Sequence, residues 1–372
     1  MKVRINVKWE QHKLGDFGNV QMNKRIFKSQ TLDSGDVPFY KIGTFGKKAD
    51  AYISSELYEE YRNKYPYPKD GDLLISASGS IGKIVEYKGQ RAYYQDSNIV
   101  WLDHDNRILN LFLKAFFQIV KWSGTEGSTI KRLYNKNILN TEIILPRIKE
   151  QTAIGKLIEK FDYLITLQQR KLEQLKQLKK AILQIIASNR LLLHTKKVDM
   201  IKVRVADIYK ITRGNVLSRS EISNVRTSKY PYPVYSSQTK NHGLMGYYKD
   251  FLFKNAITWT TDGANAGTVK YRKGRFYSTN VNGVLLSSEG LANQLTAELL
   301  NLVAFKYVSH VGNPKLMNNT MGEIIFNIPR SVETQQYFSV CIESVIDLIG
   351  KQEKATDKLN KLKKYLLQKL FI

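Results

Sequence analysis

Residues 150–187 have the sequence EQTAIGKLIEKFDYLITLQQRKLEQLKQLKKAILQIIA, which contains no proline and one glycine, Gly155. Their core-type positions recur mainly in steps of four and three, a spacing that places them in a stripe along one side of a helix. A second helix covers such a stripe well. The positions of the stripe are Phe161, Ile165, Gln168, Leu172, Leu175, Leu178 and Ile182. At about 1.5 Å per residue, a helix of this length measures about 57 Å, so we predict a spacer that is too long for one small core.

The same pattern occurs again in residues 333–372. The corresponding positions are Val345, Ile349, Gln352, Leu359, Leu362 and Leu366. Both segments take a step of three where the pattern predicts four, from Leu175 to Leu178 and from Leu359 to Leu362, so the predicted stripe shifts by part of a turn in each. We predict that the two helices pack as an antiparallel coiled coil in which Gln168 faces Gln352 and helps to fix the register. The alternative is two unrelated amphipathic helices, each lying on its own domain.

The composition indicates a globular protein with an anionic partner. The chain has 372 residues, enough for two domains and additional helices, and 42% of them are hydrophobic. Lysine and arginine number 58 against 33 acidic residues, which gives a net charge of +25. Such an excess speeds association with a polyanion, and nucleic acid is the first candidate. An anionic membrane is less favoured, because the basic residues are spread through both halves of the chain.

The sequence offers no thiolate or membrane motif. Cys341 is the only cysteine, so neither an internal disulfide nor a cluster of thiolate ligands is possible. Its place on the apolar side of the second long helix predicts a buried thiol. Residues 1–13 lack the apolar core of a signal peptide, and the apolar run 111–120 is interrupted by Lys114 and is too short to span a bilayer. We therefore expect a cytoplasmic protein with no membrane partner.

The segments between the long helices are also repeated. DLLISASGSIGKIV in residues 72–85 corresponds to AITWTTDGANAGTV in residues 256–269, and an offset of 185 places Gly82 opposite Gly267. The β-branched and aromatic residues around these glycines predict a strand, a tight turn and a second strand in each half. An apolar helix and a short strand that ends in proline follow in each half, before the long helix begins.

This organisation predicts an α+β fold with two similar units of mixed helix and strand and a pseudo-twofold internal repeat. The two long antiparallel helices separate the units. The predicted boundaries are 1–147 for the first unit, 148–190 for the central helix, 191–329 for the second unit and 330–372 for the C-terminal helix.

Four motifs occur in an order that resembles the specificity (S) subunit of type I restriction–modification systems. They are Leu14-Gly15-Asp16, Ser78-Gly79-Ser80-Ile81-Gly82, Ser128-Thr129-Ile130-Lys131-Arg132-Leu133 and Leu145-Pro146-Arg147-Ile148-Lys149-Glu150-Gln151. The resemblance covers essentially the whole chain. The second half departs from it, with Val205-Ala206 in place of Leu-Gly and Asn265-Ala266-Gly267 in place of Ser-Ile-Gly.

The resemblance implies a sequence-specific subunit that binds double-stranded DNA at a bipartite site, with each unit a target-recognition domain for one half-site. It implies that the long helices set the spacer and dock two modification (methyltransferase) subunits, with restriction (translocase/endonuclease) subunits as further partners. The chain itself is then not an enzyme and has neither catalytic residues nor a cofactor or metal. S-adenosylmethionine is expected on the modification subunits, and ATP and Mg²⁺ on the restriction subunits.

Polar and basic side chains on the predicted loops, with aromatic residues to pack beside them, are suited to contact bases and phosphates. In the first unit we predict that the DNA-binding residues are Ser76, Ser78, Ser80, Lys83, Arg91, Tyr93, Lys131 and Arg132. In the second unit we predict Thr260, Asn265, Lys270, Arg272, Arg275, Tyr277, Asn313 and Lys315.

Two other functions remain as alternatives. Asp72 with Glu86 and Lys88 fits the Asp…Glu-x-Lys pattern of metal-dependent nucleases, although the pattern is short and the second half has Tyr271-Arg272-Lys273 at the place of its Glu-x-Lys part. The other alternative is a coiled-coil adaptor without nucleic acid, which the net charge of +25 argues against. A base methyltransferase of the Asn-Pro-Pro-Tyr type is excluded, because the chain contains no Pro-Pro.

Overall fold

A computed structural model of the protein describes residues 9–123, 132–188, 192–193, 196–237 and 240–371. Its internal contacts divide the chain into two compact units. The first unit comprises Met1–Gln168 and Thr356–Ile372, and the second comprises Gln169–Ala355. Each unit therefore includes one part of each long helix.

The first unit is built on a four-stranded antiparallel sheet. Its strands are β1 (Glu10–Lys13), β2 (Gly18–Gln21), β3 (Val37–Tyr40), β4 (Tyr52–Ile53), β5 (Leu73–Ser76), β6 (Ile84–Glu86), β7 (Tyr93–Tyr94), β8 (Ile99–His104) and β9 (Glu142–Leu145). Its helices are α1 (Ser55–Lys64), α2 (Asn110–Phe116), α3 (Asn135–Leu139) and the beginning of α4 (Ile148–Ala187). The main sheet has the order β2-β8-β5-β6, β3 lies between β4 and β7 in a smaller sheet, and β1 pairs with β9.

Strand β5 separates two cores, because its side chains alternate between the faces of the sheet. Leu73 and Ile75 belong to the same buried cluster as Phe112 of helix α2. Leu74 faces the other way, into a cluster that also contains Trp101. We call this second group the aromatic cluster; its buried members are Phe45, Leu74, Tyr87, Ala92, Tyr94, Ile99 and Trp101. All four positions of β5 are buried, so both faces of the strand are covered.

The second unit is built on a six-stranded sheet. Its strands are β10 (Leu192–Leu193), β11 (Lys196–Lys197), β12 (Met200–Arg204), β13 (Lys210–Arg213), β14 (Tyr232–Tyr235), β15 (Leu244–Tyr248), β16 (Phe253–Thr260), β17 (Val269–Ser278), β18 (Asn282–Leu286) and β19 (Ile325–Pro329). Its helices are α5 (Val205–Ile208), α6 (Gln294–Ala304), α7 (Asn318–Gly322) and the beginning of α8 (Val332–Leu370). The sheet order is β13-β18-β16-β17-β14-β15, and β12 pairs with β19.

The two units share a strand order, which confirms the predicted α+β class and internal repeat. The order β2-β8-β5-β6 corresponds to β13-β18-β16-β17. Leu74 pairs with Val85 as Thr258 pairs with Lys270. A parallel pair follows in each unit, β3 with β7 and β14 with the end of β17. The units differ in that β17 is one continuous strand where the first unit has β6 and β7.

The two long helices run antiparallel within each unit, as predicted. In the first unit, Asp162 of α4 forms an ion pair with Lys363 of α8, and Ile158 packs with Leu367. In the second unit, Lys176 of α4 forms an ion pair with Glu353 of α8, at 2.9 Å between the Nζ and Oε1 atoms, and Leu183 belongs to the same buried cluster as Ile342. In each unit, later positions of α4 therefore meet earlier positions of α8.

The predicted stripe is wrong at Leu178 and Leu362, which are 50% and 44% exposed. The next stripe position lies four residues after Leu175 and after Leu359, not three. The 3.6-residue helical period therefore continues without the predicted shift of the stripe. Lys179 and Lys363 take these positions. Lysine can cover apolar surface with its stem while its ammonium reaches an acid, here Glu298 and Asp162 respectively.

The remaining stripe positions are less exposed than these two. Ile165 is buried, and Gln352 is 8% exposed. The partly buried positions are Phe161, Gln168, Leu172, Leu175, Ile182, Val345, Ile349, Leu359 and Leu366. Gln168 belongs to the first unit and Gln352 to the second. That these two side chains face each other stays a prediction.

Cys341 is exposed, so the predicted buried thiol is wrong. Its neighbours Phe338 and Ile342 occupy the core-facing positions of α8 instead. Within the described ranges, no helix combines the length and apolar character needed to cross a bilayer.

Candidate nucleic-acid interface

The glycine turn between β5 and β6 is shaped by Ser76. Its buried hydroxyl donates to the carbonyl oxygen of Ser80 and accepts from the backbone N–H of Lys83 at 2.9 Å. Gly82 has a φ of +76°, a conformation that few other residues adopt, and its N–H donates to the Ser76 carbonyl at 2.9 Å. Ser76 is therefore a scaffold of the turn, and the exposed Ser80 lies at its tip.

A segment from far along the chain lies beside this turn. Ser78 forms a β-bridge with Arg132, and the N–H of Leu133 donates to the Ala77 carbonyl at 2.8 Å. The Arg132 guanidinium donates to the Ser97 carbonyl at 2.9 Å. The fold thus brings together predicted residues that are more than 50 positions apart. Lys131, which we also predicted, lies outside the described residues.

The second unit repeats this arrangement. Asp262, in the turn after β16, forms a β-bridge with Lys315. The N–H of Gly263 donates to the Pro314 carbonyl at 2.9 Å. The predicted residues Asn265, Asn313 and Lys315 are all exposed on these two neighbouring segments. We call each pair of segments, 77–83 with 132–133 and 261–268 with 309–316, a loop pair.

Two predicted cations of the first unit are exposed but already have partners. The Lys83 ammonium donates to the Phe45 carbonyl at 2.5 Å. The Arg91 guanidinium donates to Glu59 at 3.1 Å and lies 5.2 Å from the centre of the Tyr58 ring. Such exposed contacts contribute little to stability, so both cations can exchange them for a phosphate at small cost.

The predicted aromatic residues are packing residues in this structure. Tyr93 is fully buried and its hydroxyl donates to the Lys24 carbonyl at 3.0 Å, and burial raises its pKa. Tyr277 is 7% exposed and packs edge-on against Tyr248, with 5.3 Å between ring centres. Neither ring is placed to contact a ligand directly. Arg275, by contrast, is exposed.

Arg272 is the most enclosed of the predicted cations, at 8% exposed. Its Nε–H donates to the Thr258 hydroxyl at 3.1 Å, and its Nη1 donates to the His242 carbonyl at 3.0 Å. The guanidinium carbon lies 3.7 Å from the centre of the Tyr235 ring. Burial lowers the pKa of Arg272 to about 10, so the group stays charged at neutral pH.

Lys270 lies on the same face of β17, two residues before Arg272. Burial, and then the neighbouring charge of Arg272, lower the pKa of its ammonium group. Thr260, also predicted, is 8% exposed and stands on the same face of the neighbouring strand as Thr258. These four side chains meet on one side of the sheet.

Sequence reasoning missed Thr258, Tyr235 and Asn282, which surround Arg272 and Lys270 together with the predicted residues. A signal was present in β16. Thr258 alternates with the apolar Ile257 and Trp259, which indicates one polar face on a strand whose other face belongs to the core. Only the strand pairing shows that this polar face lies against Lys270.

The residues of the nuclease alternative have structural partners. The Asp72 carboxylate accepts from the Lys69 N–H at 2.7 Å, and Glu86 forms an ion pair with Lys114 at 2.5 Å. Lys88 is exposed on the adjoining turn. In the part of the chain that the structure describes, no three His, Cys, Asp or Glu side chains are grouped in a way that could hold a metal ion. The geometry therefore gives this alternative no support.

A family model described as the type I restriction modification DNA specificity domain matches residues 6–177 and 197–363. The chain belongs to this family. The two matched segments are the two halves of the repeat. Each matched segment contains one of the two loop pairs.

Relatives at the sequence level are named as specificity subunits. A putative type I restriction enzyme specificity subunit of Haemophilus influenzae is 57% identical over 152 residues, 41% of this chain and 40% of the relative. The N-terminal part of a putative type I specificity subunit of Mycoplasma pneumoniae is 43% identical over 124 residues, 32% of this chain and 65% of the relative. The matched part of the chain thus spans less than two thirds of either relative.

Solved structures share the fold. The crystal structure of the S subunit of a type I restriction–modification system from M. genitalium superposes with a TM-score of 0.69, at 15% identity, over 100% of this chain and 98% of that chain. A chain from a study of complex assembly and conformational transition of the type I system superposes with a TM-score of 0.52, at 13% identity, over 99% of this chain and 98% of that chain.

Proposed function

We propose that this chain is the DNA-binding specificity subunit of a type I restriction–modification enzyme. One observation supports this above the others: a member of the specificity-domain family presents the same loop pair twice, once in each unit. Two copies of one contact device suit a bipartite site, with one half-site for each unit. The net charge of +25 supplies the attraction to the duplex.

The exposed and partly exposed residues of the loop pairs are the proposed contacts. Ser78, Ser80 and Arg132 serve the first half-site, and Asn265, Asn313 and Lys315 serve the second. Arginine and asparagine make paired hydrogen bonds to guanine and adenine edges, whereas lysine contacts phosphates without regard to sequence. Lys83, Arg91 and Arg275 are the proposed additional phosphate contacts.

The outer faces of the two long helices are the proposed docking surface for two modification subunits, with restriction subunits as further partners. These faces expose large apolar residues that the coiled coil leaves uncovered: Tyr163, Leu167, Leu178, Ile185, Tyr337, Val340, Leu348, Leu362 and Tyr365. Charged groups are interspersed among them, as in interfaces that form and dissociate. The chain is proposed to be non-catalytic, with S-adenosylmethionine bound by the modification subunits and ATP and Mg²⁺ by the restriction subunits.

The test is to produce the chain together with its modification subunits in a methylation-free host and to map every methylated adenine. The expected result is one site with two short blocks of defined bases, separated by a gap of constant length. Arg132→Ala is expected to weaken or relax only one block, and Asn313→Ala only the other, by about 1–3 kcal/mol per lost base contact.

Lys64→Ala is the matched control, since this exposed lysine pairs with Glu60 on helix α1 and belongs to neither loop pair. Methylation without a two-block site, or an Arg132→Ala variant that alters both blocks alike, would overturn the proposal.

A further inference from the structure

The second unit contains a small polar pocket on the face of its sheet opposite helix α6. The strands contribute Thr258 and Thr260 from β16, Lys270 and Arg272 from β17 and Asn282 from β18, and serine and threonine hydroxyls complete the wall. The volume of this partly open pocket is about 50 Å³. None of the described residues that line it is acidic.

The positive charge of this pocket is held in place but not neutralised. The Arg272 guanidinium is oriented by the Thr258 hydroxyl, the His242 carbonyl and the Tyr235 ring, none of which is negatively charged. The Lys270 ammonium makes no hydrogen bond or ion pair within the described ranges of the chain.

Glu298 is the acid whose charge acts on Lys270, but it is engaged elsewhere. Its carboxylate forms an ion pair with Lys179 at 2.6 Å and accepts from the Gln294 side chain at 3.1 Å. Two partly desolvated cations side by side oppose folding unless something compensates their charge. An anion in the pocket would supply this compensation.

The fold does not require these charges. In the first unit, the positions of Thr258, Lys270 and Arg272 are occupied by Leu74, Val85 and Tyr87, and the space is filled by the aromatic cluster. The same strand framework is thus stable with an apolar interior. The cations of the second unit are therefore attributable to a ligand rather than to the architecture.

The size and lining of the pocket indicate the class of ligand. A volume of about 50 Å³ accommodates about four water-sized spheres, enough for a tetrahedral oxyanion and too little for a nucleobase. A guanidinium, an ammonium, hydroxyls and amides are the donors that bind phosphate oxygens in proteins.

We propose that the pocket around Lys270 and Arg272 is a phosphate site that holds one phosphodiester of the DNA bound by the second unit, an assignment that rests on the proposed function. The first unit has Leu74, Val85 and Tyr87 at the corresponding strand positions, so the two units hold the DNA backbone differently. The same chemistry would accept free inorganic phosphate, and the experiment distinguishes the two sources.

The test compares Lys270→Gln with Lys273→Gln in the full chain. Lys273 is on the same strand and pairs with Glu343 at 2.8 Å on the exposed side, so it is a matched loss of one cation outside the pocket. Lys270→Gln is expected to weaken DNA binding about tenfold near 0.1 M salt and to reduce the slope of log K against log salt by about one, equally for all base sequences. Lys273→Gln is expected to stay within about twofold of the wild type.

Duplexes with a single neutral methylphosphonate identify the phosphate. The wild type is expected to lose affinity at one position in the second half-site, and Lys270→Gln is expected to show no further loss there. If the wild type binds DNA while Lys270→Gln keeps the affinity and the slope of the wild type, the pocket assignment fails and the proposed function stands.

Inorganic phosphate, compared with chloride at equal ionic strength, tests the site apart from DNA. The wild type is expected to melt at a higher temperature in phosphate, and Lys270→Gln to lose that increase. If the increase in melting temperature depends on Lys270 while the variant binds DNA as the wild type does, the site binds free phosphate. The assignment to a DNA phosphodiester would then be wrong. If the wild type binds no DNA, the proposed function fails, and the phosphodiester assignment fails with it.

Discussion

The two units place different chemistry on one strand framework. In both, the face of the central strand that packs against a helix is apolar, with Leu73 and Ile75 in the first unit and Ile257 and Trp259 in the second. The opposite face carries the aromatic cluster in the first unit. In the second unit it carries the polar pocket beside a smaller apolar cluster of Ala256, Phe276 and Val284. The helix-side face therefore specifies the fold, and the other face is free to differ between copies.

The largest expected effect comes from emptying the aromatic cluster. Trp101 is 2% exposed, so Trp101→Ala is expected to lower the free energy of unfolding of the first unit by about 3–5 kcal/mol. The matched change Val284→Ala, at the corresponding position of the second unit, removes far less volume and is expected to cost about 1–2 kcal/mol. Urea unfolding followed by circular dichroism measures both. Equal losses would show that the two interiors are not as different as described.

The second prediction concerns a variant in which the polar pocket of the second unit receives the residues of the aromatic cluster of the first unit. The triple change Thr258→Leu, Lys270→Val and Arg272→Tyr gives the second unit the residues of the first. Loss of two phosphate-binding cations is expected to weaken DNA binding about a hundredfold. Stability is expected to stay the same or rise by about 1 kcal/mol, because the buried charge of Arg272 and the partly buried charge of Lys270 are removed. Titration of labelled duplex and thermal melting are the measurements. A variant that unfolds would contradict the claim that the framework is independent of these charges.

A smaller effect compares the ion pairs that join the long helices in each unit. Lys363 is 16% exposed where it meets Asp162, whereas Lys176 is 48% exposed where it meets Glu353. Lys363→Met is expected to cost about 1 kcal/mol and Lys176→Met about 0–0.5 kcal/mol, because water screens the more exposed pair. Double-mutant cycles with Asp162→Asn and Glu353→Gln measure the coupling. A stronger coupling for the exposed pair would refute this ranking.

The smallest effect is expected at Leu178, which the helix periodicity placed in the stripe and the structure places on the surface. Leu178→Gln is expected to change the free energy of unfolding by no more than about 0.5 kcal/mol, whereas Leu183→Ala, at a position 3% exposed, is expected to cost about 2–5 kcal/mol. Chemical denaturation of the two variants distinguishes a stripe that contains Leu178 from one that contains Lys179. A large loss of unfolding free energy in Leu178→Gln would show that Leu178 belongs to the stripe.

Many residues of the loop pairs could be predicted from the sequence, because glycine turns and basic loops have recognisable local sequence patterns. The sequence predicts Arg132 and Lys315 as DNA contacts. Only the β-bridges show that Ser78 lies beside Arg132 and that Asp262 lies beside Lys315. Burial could not be predicted for Ser76 and Tyr93, which are polar residues that the fold uses as scaffold. Composition gives a residue's chemistry without showing which side of a strand is covered.

The amino-acid sequence by itself determined the repeat, the two long helices and the glycine turns, because these depend on periods of two and 3.6 residues and on backbone freedom at single positions. Only the tertiary structure decided which residues complete the stripe and which polar side chains form the pocket. Lys179 takes the place of Leu178 in the stripe, where its ammonium forms an ion pair with Glu298. Lys270 meets Thr258 because two strands pair in one register, and such pairing joins residues whose local sequences hold no information about each other.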